Sequence, residues 1–486
     1  MGSNRAVVSA QAARALRHLR PWCWRTDLLE PPEDPAAGAL VTVVDPSGHG
    51  VGQALYARRS PLALRLLTRR GPDEERIDDG FFERRLASAL RRREVLGPRD
   101  AVRLVHAESD LLPGLIVDRY RDALVLQSLS EGMDAREELL ARLLVQLTGA
   151  GRVVARDDGS GRDFEGLPRE VRWLSGGSDA GVDFREGANT FRVDLAADMK
   201  TGAFLDQADN RLRAGELGSG RALDCFSYHG GFALALAVRS QEVVAVEQDA
   251  VAADRIRENA QRNGRANVRV ETANAFDVLH ALDRDGERFD TVVLDPPGLA
   301  KRAKGAGTAM RAYRELNVRA LRLLRPDGLL VTCSCSGKVT AEAFEEMLLG
   351  AADDVRRPVQ ILERRGPGPD HPALAGLPET EYLKAFFVRA LVGLAALVTV
   401  AGLAACVGPA IAPGSAAETE LHGPCPARSG CAQPLTCVAA APGEPGTCEL
   451  PCTEECLAPL LCMPRTDGQR GGVCSEKPAR TAPWGS

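Results

Sequence analysis

The stretch RALDCFSYHGGFALALA, Arg221 to Ala237, decides the fold of the central part of the chain. A short apolar run meets a glycine pair and then an Ala/Leu-rich segment at helical spacing, which predicts a strand, a tight loop and a helix. Gly230 and Gly231 remove side chains where the backbone turns and where a ligand can approach it. A doubly wound α/β sheet binds ligands at this place, the carboxyl end of a strand. A dinucleotide-binding loop and a plain structural turn fit the same pattern.

A second apolar run, VVAVE, ends at Glu247, about twenty residues beyond the start of the loop. An acidic residue at this spacing can accept hydrogen bonds from ribose hydroxyls. Further strand-like runs, VRVETANAF, TVVLDPP and LLVTCSCS, alternate with helical stretches, as a parallel sheet requires. We therefore predict an α/β domain over residues 193–389.

Polar residues follow two strands of this predicted sheet. Asn274 comes after the third strand, where a side-chain amide can read an adenine edge; a helix N-cap is the alternative. Asp295, Pro296 and Pro297 follow the fourth strand, so a carboxylate and a rigid loop project into the cleft. A loop aspartate is commonly only a cap or a turn residue, but its position at a strand end favours a functional role.

Composition limits the classes of protein to consider. The chain has 486 residues, 44% of them apolar, which is enough for several cores and about three domains. A net charge of -5 gives no overall basic signature, yet residues 1–103 contain 18 arginines against 13 acidic residues. This local excess is compatible with a polyanionic partner, and solvated arginine-rich helix faces are the alternative.

Two smaller domains are predicted before residue 193. Short apolar runs broken by turn signals indicate a mostly β module over residues 1–73. In it the PWCW sequence at Pro21 to Trp24 fits an aromatic stacking surface, although a core anchor is the interpretation we favour. Residues 74–192 are predicted as a β-β-α-β-β domain behind a basic amphipathic helix, Ile77 to Arg93, with two strands about a turn at Asp110 to Gly114.

Several motifs resemble one enzyme family: RALDCFSYHGGF, KTGAFLDQADNR, LDPPGLAKR, TCSCSGKV and DHPALAGLPETEYLK. They look like the class I S-adenosylmethionine-dependent methyltransferases of large-subunit ribosomal RNA that carry an N-terminal PUA domain. The resemblance covers roughly residues 6–389. It implies a PUA β-barrel, a small linker domain and a Rossmann-like catalytic domain. Studied members make 5-methylcytosine, so the resemblance implies a cytoplasmic enzyme with S-adenosyl-L-methionine as cofactor and ribosomal RNA as partner.

The resemblance also assigns roles to individual residues. Asp224 with the two glycines would hold the methionine end of the cofactor, Glu247 the ribose and Asn274 the adenine. The family usually has Asp at both of the last two positions, so adenine contact by Asn274 is the less secure of the two. The remaining cofactor residues that it implies are Phe226, Tyr228, Asp206, Gln207, Arg211 and Asp295, and the substrate residues are Lys200, Pro296 and Pro297.

Methylation of cytosine at C5 needs a nucleophile, because C5 is too electron-poor to attack a methyl sulfonium directly. A thiolate that adds at C6 makes C5 enamine-like. Cys335, in SCSG, aligns with the family's cysteine, and Asp295 could steady the protonated N3 of the base. Cys333 lies two residues earlier and would face the same way on a regular strand, so the assignment to Cys335 is a prediction. An RNA-binding protein that has lost catalysis is a further alternative.

The sequence changes character after residue 389. Residues 390–412 begin with ALVGLAALVTVAGLAAC, which has the build of a bacterial lipoprotein signal with an acylatable Cys406. Residues 413–486 contain eight cysteines in two similar units, which predicts disulfides in place of a core; zinc is disfavoured because no CxxC pair is present. Two interpretations of the tail remain open. It is a neighbouring lipoprotein joined to the enzyme by gene fusion or by a merged gene model, or it is a true exported module with a membrane contact through residues 390–412. No metal site is predicted, and a homodimer is left open.

Overall fold

The computed structural model describes residues 4–299 and 306–392, together with short backbone segments between residues 424 and 476. The N-terminal module is a six-stranded sheet of order β2-β6-β5-β4-β1-β3 with one helix. Small apolar residues from both elements form its core. The elements are β1 (Arg5–Val8), α1 (Ala10–Arg17), β2 (Trp22–Trp24), β3 (Leu28–Glu30), β4 (Leu40–Val44), β5 (Gly50–Tyr56) and β6 (Leu62–Thr68).

The PWCW sequence does not anchor this core through its tryptophans, and that interpretation was wrong. Side chains alternate along β2, so Cys23 is buried while Trp24 is 45% exposed. Trp22 is only partly buried, and its Nε1 donates a hydrogen bond to Glu108 in the next domain at 3.0 Å. Cys23, which lies between the two tryptophans, is therefore the residue of β2 that packs in the core.

The middle domain has a five-stranded sheet of order β11-β10-β9-β8-β7, followed by a two-stranded hairpin. We predicted two strands on each side of a central helix, whereas the structure has three before the helix Glu137–Thr148 and four after it. The additional strand before the helix arises because a tight turn with Arg121 at φ 55° folds the chain back. The elements are α2 (Asp79–Glu94), β7 (Ala101–His106), β8 (Leu115–Tyr120), β9 (Ala123–Ser128), α3 (Glu131–Asp134), α4 (Glu137–Thr148), β10 (Arg152–Asp157), β11 (Glu170–Ser175), β12 (Gly181–Glu186) and β13 (Asn189–Asp194).

The third domain is a seven-stranded sheet of order β16-β15-β14-β17-β18-β20-β19 with helices on both faces. Its elements are α5 (Ala208–Leu217), β14 (Gly220–Cys225), α6 (Gly231–Ala237), β15 (Ser240–Glu247), α7 (Ala250–Arg262), β16 (Val268–Thr272), α8 (Ala275–Arg284), β17 (Phe289–Leu294), α9 (Ala306–Leu323), β18 (Leu324–Ser334), α10 (Ala341–Asp354), β19 (Val359–Arg365) and β20 (Lys384–Ala390).

The order of this sheet places the ligand crevice. β14 to β18 run parallel, and β20 is antiparallel to both of its neighbours. The chain builds outward from β14 in one direction and then returns to add β17 on its other side, so the carboxyl ends of β14 and β17 flank a topological switch point. Phe184 and Phe191 of the β12–β13 hairpin share a hydrophobic core with this domain. The hairpin therefore closes one side of the crevice.

Residues 399–486 form a separate compact unit. Its described strands make two three-stranded antiparallel sheets, in which Cys437 lies opposite Cys448 and Cys462 opposite Cys474. The strands are β21 (Pro424–Cys425), β22 (Thr436–Val438), β23 (Gly446–Glu449), β24 (Pro451–Cys452), β25 (Leu460–Pro464) and β26 (Gly472–Glu476). Disulfide bonding of the tail stays a prediction.

The signal-like segment at residues 390–412 lies outside the described residues except for its first three positions. Among the helices that the structure describes, none combines the length and the apolar character needed to cross a membrane. The membrane contact predicted for this segment therefore stays a prediction.

Candidate active site

A cavity of about 610 Å³ lies at the carboxyl ends of the central strands. Its walls come from the loops after β14, β15, β17 and β18, and from the segment between β13 and α5. Three predicted site residues, Asp224, Gly230 and Asn274, are not in its lining. The predicted residues that do line it are Lys200, Asp206, Gln207, Arg211, Phe226, Tyr228, Gly231, Glu247, Asp295, Pro296, Pro297 and Cys335.

The loop between β14 and α6 is tightly constrained. Gly230 has φ 83°, and a Cβ on Gly231 would lie 2.4 Å from Cδ of Arg211, so the space there suits glycine alone. Phe226 and Tyr228 also adopt left-handed conformations, at φ 65° and 50°. Such residues cost of order 1–3 kcal/mol each and persist only where the surroundings hold them. The strain lies in the loop that borders the cavity, as at many ligand-binding sites.

Asp224 lies beneath this loop and is fully buried. Its Oδ2 accepts hydrogen bonds from the Ser227 hydroxyl at 2.5 Å and from the Ala233 N–H at 2.9 Å. Its Oδ1 is buried without a hydrogen-bond partner in the described part of the chain. Burial raises the pKa of this carboxyl to about 7. Asp224 thus ties the loop to the start of α6, and its contact with a cofactor stays a prediction.

Glu247 and Asn274 are both used by the local backbone. Glu247 accepts hydrogen bonds from the N–H of Tyr228 at 2.8 Å and from the N–H of Asp249 at 2.9 Å, and its carboxylate borders the cavity. Asn274 is the N-cap of α8, where its Oδ1 accepts from the Phe276 N–H at 2.9 Å. The structure therefore has the helix cap, which was the alternative interpretation. The neighbours of Asn274, Ala273 and Ala275, line the cavity, and contact of Asn274 with adenine stays a prediction.

The two cysteines near the site differ in position. β18 ends at Ser334, so Cys333 is fully buried in the sheet while Cys335 lies beyond it, partly exposed to the cavity. The Cys335 thiol contacts the carbonyl oxygen of Pro296 at 3.9 Å. Burial, together with the charge of Asp295, raises the pKa of this thiol, and the nearby ammonium of Lys200 opposes that rise.

Asp295 lies near both the Cys335 thiol and the Asp206 carboxylate. Burial and the neighbouring carboxylate of Asp206 raise its pKa to about 7, although a hydrogen bond from Gln207 Nε2 at 2.9 Å lowers it. A carboxyl with this pKa can exist in both protonation states near neutral pH. The group can therefore give or take a proton at the cavity.

Comparison with known proteins assigns the family. The profile of an S-adenosylmethionine-dependent methyltransferase family matches residues 103–389, and that of a PUA-like domain matches residues 7–69. The chain is 37% identical over 398 residues to "Ribosomal RNA large subunit methyltransferase I" of Tolumonas auensis, which covers 80% of this chain and all of that protein. It is 33% identical to the Yersinia pestis protein of the same name, over 80% of this chain and 99% of that one.

The chain belongs to the S-adenosylmethionine-dependent methyltransferase family. A solved structure described as a putative SAM-dependent methyltransferase from Streptococcus mutans supports the fold, with a TM-score of 0.67, 17% identity and coverage of 79% of this chain and 99% of that one. A second, described as a putative methyltransferase complexed with SAH, has the same TM-score, identity and coverage.

The cavity of this methyltransferase fits its cofactor chemically. Glu247 is a carboxylate suited to ribose hydroxyls, and the small side chains of Ala273 and Ala275 leave room for a flat ring beside it. Asp206 is an acidic group of the lining suited to the ammonium of an amino acid. The Arg211 guanidinium donates to Glu186 and to the carbonyl oxygen of Phe204, so its predicted contact with the cofactor stays a prediction. When bound, S-adenosylmethionine supplies a methyl group made electrophilic by a positive sulfur.

Two supporting residues of the methyltransferase had no predicted role. The Tyr382 hydroxyl donates to Asp206 Oδ2 at 2.7 Å. Lys384 is 6% exposed, and its Nζ donates to the carbonyl oxygens of Ser336 at 2.8 Å and Tyr382 at 2.9 Å, which holds the segment that carries Cys335. Both lie in the LPETEYLK motif, which was noted for its resemblance to the family but was assigned no role.

Proposed function

We propose that this methyltransferase forms 5-methylcytosine in large-subunit ribosomal RNA through Cys335. The observation that carries the proposal is the position of one thiol. Of the four cysteines within residues 4–299 and 306–392, Cys335 alone lines the cavity, and it does so beside Asp295 and the proline loop. The names of the relatives support ribosomal RNA as the substrate.

Methylation proceeds through a covalent bond between Cys335 and the base. The Cys335 thiolate adds to C6 of cytosine while neutral Asp295 gives a proton to N3, so that the electrons of the C5–C6 double bond can be released towards C5. The enamine-like C5 then takes the methyl group. The C5 proton then passes to solvent water, and the Asp295 carboxylate takes back the proton on N3 as the C6–S bond breaks and returns the thiolate. The reaction therefore adds one methyl group and releases one proton to solvent.

Lys200 supports the first of these steps. The raised pKa of the Cys335 thiol disfavours the thiolate, and the ammonium of Lys200 is the cation that favours it. Lys200 is exposed at the cavity rim, has φ 55° and places its Nζ 4.3 Å from the centre of the Phe204 ring. Pro296 and Pro297 give the base a slot without backbone donors.

The target nucleotide must be unpaired or turned out of its helix to reach a cavity of this depth. The PUA-like domain and the arginines of residues 1–103 are the surfaces that we propose hold the surrounding RNA. The cytoplasm is the proposed location of the enzyme part. A homodimer stays a prediction.

Product analysis tests the proposal. The full-length chain is incubated with methyl-labelled S-adenosylmethionine and unmodified large-subunit ribosomal RNA, and the RNA is digested to nucleosides for mass spectrometry. We expect labelled 5-methylcytosine from the wild-type chain and from Cys333→Ala, and none from Cys335→Ala. A label on another base, or undiminished 5-methylcytosine from Cys335→Ala, would refute the product or the nucleophile respectively.

A further inference from the structure

A row of hydrogen-bonded side chains connects Asp295 to β19, the edge strand of the sheet. Gln207 Nε2 donates to Asp295 Oδ1 at 2.9 Å, Asn210 Nδ2 donates to Gln207 Oε1 at 2.7 Å, and Arg365 Nε donates to Asn210 Oδ1 at 2.8 Å. Gln207 is 3% exposed and Asn210 is 1% exposed. The catalytic steps above give no role to Asn210 or Arg365.

The direction of each hydrogen bond in this row is fixed. A guanidinium has donors only, so Arg365 must face the oxygen of the Asn210 amide. The carbonyl oxygen of Gly366, 3.0 Å from Asn210 Nδ2, accepts only and must face the nitrogen. The Asn210 amide therefore has one orientation, in which an N–H points at Gln207. Gln207 in turn must direct its oxygen at Asn210 and its NH₂ group at Asp295.

This orientation decides which oxygen of Asp295 is available for chemistry. Oδ1 already accepts a hydrogen bond from Gln207, so the neutral carboxyl favours its proton on Oδ2. No other side chain in the described part of the chain donates to this carboxylate, which borders the cavity. The ionisable groups that face Asp295 are Lys200, Asp206, Arg211, Asp224, Cys333 and Cys335.

We propose that Asn210 and Arg365 are positioning residues that act through Gln207 to keep the proton of Asp295 on Oδ2, the oxygen available to the target base. The inference deepens the proposed function, since it assumes that neutral Asp295 protonates the base. It adds that the donor atom is set from β19, the edge strand of the sheet, through Asn210 of α5.

The test is the pH profile of kcat/KM at saturating cofactor, measured with the full-length chain. Burial raises the pKa of the Cys335 thiol, so the thiolate forms at a higher pH than that at which Asp295 loses its proton. Loss of the Asp295 proton therefore ends the rising limb of the profile, and this limb is expected to level off near pH 7 in the wild type. Gln207→Met removes the hydrogen bond that favours the carboxylate, so we expect the limb to move to higher pH by about one unit. Asn210→Asp turns the Gln207 oxygen towards Asp295, and we expect a similar move.

A double-mutant cycle separates two effects on the Asp295 proton. One is transmitted from Asn210 through Gln207, which we call the relay, and the other is the effect of the charge that Asn210→Asp adds. If Asn210 acts through Gln207, Asn210→Asp produces no further shift in the Gln207→Met background. An equal shift in both backgrounds would mean a through-space charge effect and would overturn the inference. The adjacent Arg364→Leu, which removes a surface pair with Glu345, is the control and should leave the limb in place. Arg365→Leu leaves only the Gly366 carbonyl to orient the Asn210 amide, so it should move the limb to higher pH by less than Gln207→Met does.

Folding of each variant is checked by its melting temperature. If Asn210→Asp does not fold, Gln207→Met alone decides, because an unchanged limb in that variant overturns the relay. Failure of the proposed function is distinguishable from failure of the relay. A product other than 5-methylcytosine refutes the function, whereas the relay is judged by the shift of the limb for whichever product forms.

Discussion

The Tyr382 hydroxyl donates a hydrogen bond to Asp206 Oδ2 at 2.7 Å, across 176 positions of sequence. Asp206 is 7% exposed, and its Oδ1 has no hydrogen-bond partner among the described residues. Its pKa is nevertheless lowered, because Lys200, His371 and Tyr382 together outweigh the burial that raises it. A buried carboxylate at the cavity wall therefore stays charged with the help of one distant tyrosine.

Removing that hydroxyl should destabilise the fold. In Tyr382→Phe both oxygens of Asp206 would lack a hydrogen-bond partner among the described residues, and we expect the free energy of unfolding at neutral pH to fall by about 1–3 kcal/mol. Urea denaturation measures it. Tyr313→Phe is the matched control, because the Tyr313 hydroxyl bonds to uncharged groups, the Ser334 and Ser336 hydroxyls at 3.0 Å and the Leu299 backbone, so its loss should be smaller. Equal losses would argue against a charged Asp206.

Glu247 should determine much of the cofactor affinity. Its carboxylate is oriented by two backbone N–H groups and borders the cavity, so Glu247→Ala removes an acceptor whose position is already fixed. We expect the Kd for S-adenosylmethionine, measured by calorimetry, to rise about ten-fold or more. Glu271→Ala, on the neighbouring strand and paired with Arg269, should leave the Kd unchanged. A Glu247→Ala variant with wild-type affinity would remove Glu247 from the cofactor site.

The carboxyl of Asp224 should make stability depend on pH. Its folded-state pKa of about 7 lies above the ordinary value of 3.8, so the folded chain binds more protons than the unfolded chain between these values. The free energy of unfolding therefore falls as pH rises through that window. The side chain in Asp224→Asn does not titrate. We therefore expect the free energy of unfolding of this variant to exceed that of wild type by at least about 1 kcal/mol near pH 8, and by less below about pH 4. Melting curves at both pH values measure the difference, and an advantage that does not change with pH would contradict the assignment.

Gly231 should tolerate no side chain. Its Cβ would displace the Arg211 side chain, which pairs with Glu186 through a bond of 2.6 Å from Nε and another of 2.5 Å. We expect Gly231→Ala to lower the Tm by several degrees and to weaken cofactor binding. Gly307→Ala, on α9 with open space around it, should be neutral or slightly stabilising by about 0.5–1 kcal/mol. If both substitutions lowered the Tm equally, close packing at Gly231 would not be the cause.

The sequence was sufficient for the parts of the site that belong to single strand-loop units. The positions of Glu247 and Asp295 at strand ends and of Gly230 at the start of α6 follow from local hydrophobic periodicity and glycine placement, and the alternating pattern predicted the parallel sheet. Periodicity alone did not distinguish Cys333 from Cys335, and the prediction of Cys335 rested on the family motif. The difference in burial depends on where β18 ends, and strand ends are set by tertiary contacts.

Contacts between distant segments could not be predicted in the same way. Arg365 and Asn210 are 155 positions apart, and Tyr382, which bonds to Asp206, lies just before β20, 176 positions further along the chain. Local periodicity contains no information about such pairs, so the sequence around each of these side chains predicts only an ordinary loop or surface residue. The third strand of the middle domain was missed for a related reason, since Arg121 is not a residue type that signals a left-handed turn.

Covalent trapping tests the central claim most directly. Large-subunit ribosomal RNA containing 5-fluorocytidine has no C5 proton to lose, so the thiol adduct should persist after methyl transfer. With S-adenosylmethionine present, we predict a denaturation-resistant RNA adduct of the full-length wild-type chain and of Cys333→Ala, mapped to Cys335 by peptide mass spectrometry, and none with Cys335→Ala. An adduct that survives in Cys335→Ala, or its absence from a wild-type chain that makes 5-methylcytosine, would contradict the account.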